Sequence, residues 1–114
     1  MTDCLFCAIA ARDVPADVVF EDDLVIAFRD INPQAPIHIL VIPRQHVGSA
    51  AELTPADDPL WARLLHVTQQ LAIADGVAAD GYRVVTNIGN DGGQTVGHLH
   101  LHVLGGRHMT WPPG

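Results

Sequence analysis

The chain has 114 residues and a formal net charge of −7, from 13 acidic and 6 basic side chains, all six of them arginine. That balance argues against a nucleic-acid binder, because affinity for a phosphate backbone rests on clustered cations, and no apolar run approaches the roughly 20 residues of a membrane span. A hydrophobic content of 48% with periodic patterning describes one globular domain spanning residues 1–114.

The opening MTDCLFCAIAARD has no basic leader, so a cytoplasmic setting is expected. It holds the two cysteines, Cys4 and Cys7, spaced C-x-x-C. Two cysteines cannot form a disulfide framework, and the spacing leaves ordinary thiols, a redox pair or a metal pair open. Residues 5–12 predict a short helix with Phe6 and Ile9 on one face. VVFEDD (18–23) and LVIAFRD (24–30) read as two strands joined by an acidic turn. Two prolines make 30–36 a loop, and IHILVIP (37–43) is a buried strand with His38 near its entry. The long helix is 54–75, with Asp58 as N-cap, Pro59 at the first helical position and Gly76 as the stop. Its apolar stripe is Leu60, Trp61, Leu64, Leu65, Thr68, Leu71 and Ala72. GYRVVTNIG (81–89) is a further strand, NDGGQT (90–95) a turn, and the Gly- and Pro-rich tail is irregular. About five strands, one long and one short helix, with strand following strand twice, predict an α+β fold on an antiparallel sheet.

GHLHLHVL, residues 97–104, sets His98, His100 and His102 at every second position. Alternation of this kind is the period of a half-buried strand, so the imidazoles share one face and Leu99, Leu101 and Val103 the other. The row is not one zinc cage: its outer members sit about 13 Å apart along a strand, whereas zinc–nitrogen bonds are about 2.0 Å long. A set of distinct chemical tasks fits better. Adjacent Gly92 and Gly93 allow a turn that leaves amides open to an anion. A neutral imidazole beside such a turn is a nucleophile for phosphorus, and its adduct is open to water, which splits one displacement into two. His100, flanked on both sides, is the natural nucleophile.

GHLHLHVLGG matches the His-x-His-x-His signature of the histidine triad (HIT) family. FEDD, FRDINPQAPIH, VIPRQH, NDGGQT and the terminal WPPG extend the resemblance over nearly the whole chain and look like the Hint branch. The resemblance implies a hydrolase that cleaves the P–N bond of purine nucleoside 5′-phosphoramidates, with acyl-adenylates as further substrates, and releases AMP or GMP through a nucleotidyl-histidine. By the same resemblance, His100 attacks the α-phosphate, the His98 carbonyl holds its other nitrogen, His102 contacts phosphate and His38 stands behind in a proton relay. Phe6, Ile9, Phe28 and Leu40 match the purine pocket, and Asp30 and Ile31 the ribose contacts. Asn87, Gly93, Gln94 and Thr95 match the phosphate neighbourhood, with Thr95 where the branch often has serine. Cys4, Cys7, His46 and His98 match a structural zinc set found in bacterial relatives. The resemblance also implies a homodimer whose sheets join, placing Trp111 at the interface. The competing function is a purine-nucleotide-binding regulatory or scaffold dimer with vestigial hydrolysis. A weaker one is a zinc hydrolase using His98 and His100 directly.

Overall fold

The computed structural model describes residues 4–114; the first three positions of the leader reading lie outside them. The chain forms α1 (Leu5–Ala10), β1 (Val18–Glu21), β2 (Val25–Arg29), β3 (Ile37–Pro43), α2 (Asp58–Ala74), β4 (Tyr82–Val85) and β5 (Leu101–Gly105). All the strands belong to one antiparallel sheet of order β1-β2-β3-β5-β4. The α+β class and the five-stranded antiparallel sheet with one long helix therefore stand as expected.

Both faces of the sheet are covered. Val25, Ala27, Ile39, Val41, Leu101 and Val103 meet Leu64, Val67, Leu71 and Ala72 of α2. On the opposite face Ile26, Phe28, Leu40 and Ile42 meet Phe6, Ile9 and Ala10 of α1. Covering two faces explains why β2 and β3 are nearly continuous apolar runs rather than alternating ones. Each fully buried aliphatic side chain contributes roughly 1.5–3 kcal/mol. Among the described residues no helix is long and apolar enough to cross a membrane.

Three local expectations change. The long helix starts with Asp58 as its first residue, preceded by a 3₁₀ turn, Pro55–Asp57. Asp57 is the cap, and its carboxylate accepts the Thr54 N–H at 2.9 Å. Along α2, Leu65 is exposed and Val67 fully buried, which rotates the stripe towards Val67. The expected strand over 81–89 stops at Val85.

The histidine strand is also shorter than alternation suggests. β5 pairs with β3 only from Leu101, opposite Val41, onward. Two positions further along β3 comes Pro43, which has no N–H to give a ladder. Upstream of β5 other bonds take over: the Leu99 N–H donates to the Val47 carbonyl at 2.6 Å, and the His98 ring bonds the Pro43 carbonyl at 2.9 Å. His98 and His100 thus lie in the extended entry to the strand and His102 within it.

Candidate functional site

The histidine face of the strand and its entry lies beneath α1. Phe6 covers it, its ring edge-on to His98 at 6.0 Å and to His100 at 5.2 Å. His98 and His100 are consequently buried rather than solvent-facing, and His102 is half-buried.

Hydrogen bonds fix which nitrogen of each ring carries a proton. His100 Nδ1 lies 2.7 Å from the His98 carbonyl, which can only accept, so Nδ1–H donates and the neutral ring carries its lone pair on Nε2. The strand entry itself is pinned, because Thr86 Oγ1 donates to the His100 carbonyl at 2.8 Å. Behind these groups the Gln34 N–H donates to His38 Nδ1 at 3.0 Å, which leaves the proton of neutral His38 on Nε2. That Nε2 lies 2.9 Å from His102 Nδ1, with Asp30 Oδ2 at 3.5 Å. His38 therefore donates to His102, and the remaining N–H of His102 is Nε2–H. Burial pushes the His102 pKa down, helped by the charges of neighbouring His100 and His38, to about 4. Burial also lowers His38, against the opposing pull of Asp30. Both rings are neutral at pH 7.

Beside this chain lies an apolar cleft of about 270 Å³. Phe6, Ile9, Phe28 and Leu40 line it, with Asp30 and Ile31 at the rim, so all six sequence-nominated residues meet in one place. Ile31 is fully exposed. Sequence reasoning missed Leu5, Val14, Pro15, Ala16, Arg29 and Val96, which complete the wall. The segment after α1 offers no periodicity that could have marked Val14, Pro15 and Ala16.

The turn at 90–93 is built for close approach. A side chain at Gly92 would place its Cβ 2.2 Å from the Ile88 carbonyl oxygen, and Gly93 adopts φ of +79°. The side chains nominated around it turn inward to the loop. Asn87 Nδ2 donates to the Gly92 carbonyl at 2.7 Å, while Gln94 Nε2 donates to the carbonyls of Gly48 and Val96. Gln94 Oε1 accepts the Gly89 N–H. Asn87 and Gln94 thereby hold the shape of the turn, and Thr95 is exposed on it beside an open cavity that reaches Ser49.

A second cluster backs the first. Cys4 Sγ lies 3.3 Å and Cys7 Sγ 3.5 Å from His98 Nδ1, and Cys7 Sγ lies 3.2 Å from His46 Nδ1. A tetrahedral ion with Zn–S about 2.3 Å and Zn–N about 2.0 Å needs sulfur–nitrogen edges of about 3.5 Å. These donors already stand at that spacing. His98 Nε2–H donates to the Pro43 carbonyl, so its Nδ1 lone pair faces the thiols, and burial keeps the ring neutral. The donor set fits zinc, and His98 serves both clusters: its ring to one, its carbonyl to the other.

Comparison with known proteins adds an independent line. The HIT domain profile matches residues 11–109. An uncharacterised HIT-like protein of Synechococcus elongatus is 51% identical over 98% of this chain and 97% of its own length. A HIT family hydrolase from Legionella pneumophila Philadelphia 1 superposes with a TM-score of 0.97 at 52% identity, covering 98% of this chain and 100% of that one. A hypothetical histidine triad nucleotide-binding protein from Sulfolobus tokodaii superposes with a TM-score of 0.78 at 38% identity, covering 90% of this chain and 68% of that one.

Proposed function

The chain belongs to the HIT domain family, and on that premise we propose that it is a hydrolase of purine nucleoside 5′-phosphoramidates, with acyl-adenylates as further substrates. The observation that carries this reading is the 2.7 Å bond from His100 Nδ1–H to the His98 carbonyl, which makes Nε2 the lone-pair nitrogen of the neutral ring, beside the Phe6 ring that also lines the apolar cleft. Cleft dimensions and a wall of Phe6 and Phe28 suit a flat purine, and the carboxylate of Asp30 at the rim suits ribose hydroxyls. The hydrolase name of the Legionella relative and the nucleotide-binding name of the Sulfolobus relative support the same direction.

His100 Nε2 attacks the α-phosphorus. A P–N bond to the histidine forms as the P–N bond to the amine breaks, and the amine departs with a proton taken from solvent, balanced by the proton that the attacking water gives up in the second step. Water then displaces His100 and releases AMP or GMP. His102 Nε2–H donates to a phosphate oxygen throughout, and the exposed hydroxyl of Thr95 serves the leaving amine as a hydrogen-bond donor. Charge builds on phosphate oxygens in both steps, so donors fixed in advance lower both barriers.

Cys4, Cys7, His46 and His98 would hold a structural zinc, which ties α1 to the strand entry and supplies no reacting group. One HIT domain spans the chain, in a cytoplasmic protein, and two copies form a homodimer through the sheet edge. AMP release from adenosine 5′-phosphoramidate tests the reading. Wild type is expected to release AMP, and His100→Ala to bind AMP but release none. Equal release by both proteins refutes the nucleophile, and no release by either refutes the hydrolase.

A further inference from the structure

Arg107 lies just beyond β5, outside both clusters, with its guanidinium turned back towards the loop between β2 and β3. Its Nε and Nη2 donate to one acceptor, the Gln34 carbonyl, at 3.1 and 3.0 Å, and Nη1 donates to the His108 carbonyl. Four of the six arginines face carboxylates, whereas among the described residues Arg107 has no carboxylate within 4 Å. A full guanidinium fork on a single neutral oxygen is a large commitment for an exposed side chain. Gln34 is also the residue whose N–H donates to His38 Nδ1. One backbone position thus stands between Arg107 and the histidine relay.

Three further contacts brace this connection. The loop is cross-braced by the Asn32 N–H on Asp30 Oδ1 at 2.9 Å and by Gln34 Nε2 on the Asn32 carbonyl at 3.0 Å. Gly106 has φ of +90°, and a Cβ there would sit 2.9 Å from the Pro36 ring, so the tail lies directly on the loop. That close seating carries Arg107 to Gln34.

We propose that Arg107 is a positioning residue for the His38–His102 pair, acting through the backbone of Gln34. With residue 34 held, its N–H keeps His38 in the Nε2–H tautomer. His38 then donates to His102 Nδ1, and His102 presents Nε2–H to the phosphate. Without the fork the loop is freer to move, Gln34 loses its aim, and the two rings can exchange tautomers, turning the lone pair of His102 towards the substrate. The catalytic consequence rests on the proposed phosphoramidase reading; the tautomer consequence does not.

The test compares wild type, Arg107→Ala and Arg107→Lys by ¹⁵N NMR of the histidine rings and by turnover of adenosine 5′-phosphoramidate. Wild type is expected to show single tautomers at His38 and His102. Arg107→Ala should show mixed ones, with kcat lower by about 10- to 100-fold and with KM and AMP affinity within about twofold. Methylguanidinium, which restores the fork, should recover both tautomers and kcat, and Arg107→Lys, with a single ammonium, should fall between. Unchanged tautomers or unchanged kcat in Arg107→Ala overturns the proposal, as does a loss of kcat accompanied by an equal loss of affinity that methylguanidinium does not reverse. Should Arg107→Ala fail to fold, the lysine variant decides on the same readouts. Absence of turnover in wild type would sink the phosphoramidase reading alone, while the NMR comparison would still decide the role of Arg107.

Discussion

At the scale of single residues, burial holds the His38, His98 and His102 rings towards their neutral forms. His102, with its pKa pushed down to about 4, gives a stability prediction with a definite sign. The unfolded chain takes up a proton near pH 6.5, and the folded chain does not until about pH 4. The unfolded state binds more protons across that window, so stability rises with pH. Unfolding free energies from urea titrations should fall steeply from about pH 6.5 to 4, by on the order of 3 kcal/mol from His102 alone, and His102→Phe should flatten the slope. A slope unchanged by the substitution would rule out His102 as its source. The three imidazoles were legible in the sequence because alternation is a side-chain property. Thr86 and Gln34 were not, because each acts on or through a backbone atom, and backbone partners leave no mark in residue type.

Among the elements, α1 has the least to stand on. Six residues are too few for a helix to persist without tertiary support. Its apolar face supplies Phe6 and Ile9 to the cleft, and Cys4, its N-cap, and Cys7 lie against His98. Losing the thiol end should therefore loosen the cleft. Cys7→Ser, or treatment with a chelator, is expected to lower the Tm and to weaken AMP binding about tenfold or more, since ligand-linked folding energy is lost with the metal. Calorimetric titration of AMP checks this, and undiminished affinity in the metal-free protein would show that α1 stands by itself. The C-x-x-C spacing alone left the metal open; what distinguishes the pair is that His46 and His98 arrive beside it from 39 and 91 residues away. The shortened β5 was hidden for a similar reason, since the missing ladder bonds belong to Pro43 on a different strand.

On the scale of the whole molecule, the sheet ends at β4, and around that edge lie exposed apolar side chains: Val84, Ile88 and Trp111. An uncovered edge strand is a template for pairing, which accords with the homodimer proposed above. Val84→Asp is expected to convert a dimer to a monomer in sedimentation velocity, with a small change in Tm because the residue lies outside the packed core. A wild-type protein that sediments as a monomer would remove the dimer from the reading. Fold class and strand number were readable from pattern, because both follow from local periodicity and short connections. The order of the strands in the sheet was not, because nothing in a sequence says which strands lie outermost.

Long sequence separations inside the site set an order of events at the ribosome. Cys4 and His98 are 94 residues apart, and His38 and His102 are 64 apart. At synthesis rates of about 5–20 residues per second, the two thiols emerge roughly 5 to 20 seconds before the imidazole they meet. Over that interval they wait with His46 at most, three donors of four, as an exposed and oxidisable pair. The proposed nucleophile has no such waiting period. His100 acquires its orienting carbonyl from His98, two residues before it, almost as soon as it is made. The Cys–His cluster is therefore the part of the site that waits longest for its last member, and the His100 ring is among the last groups to be put in place.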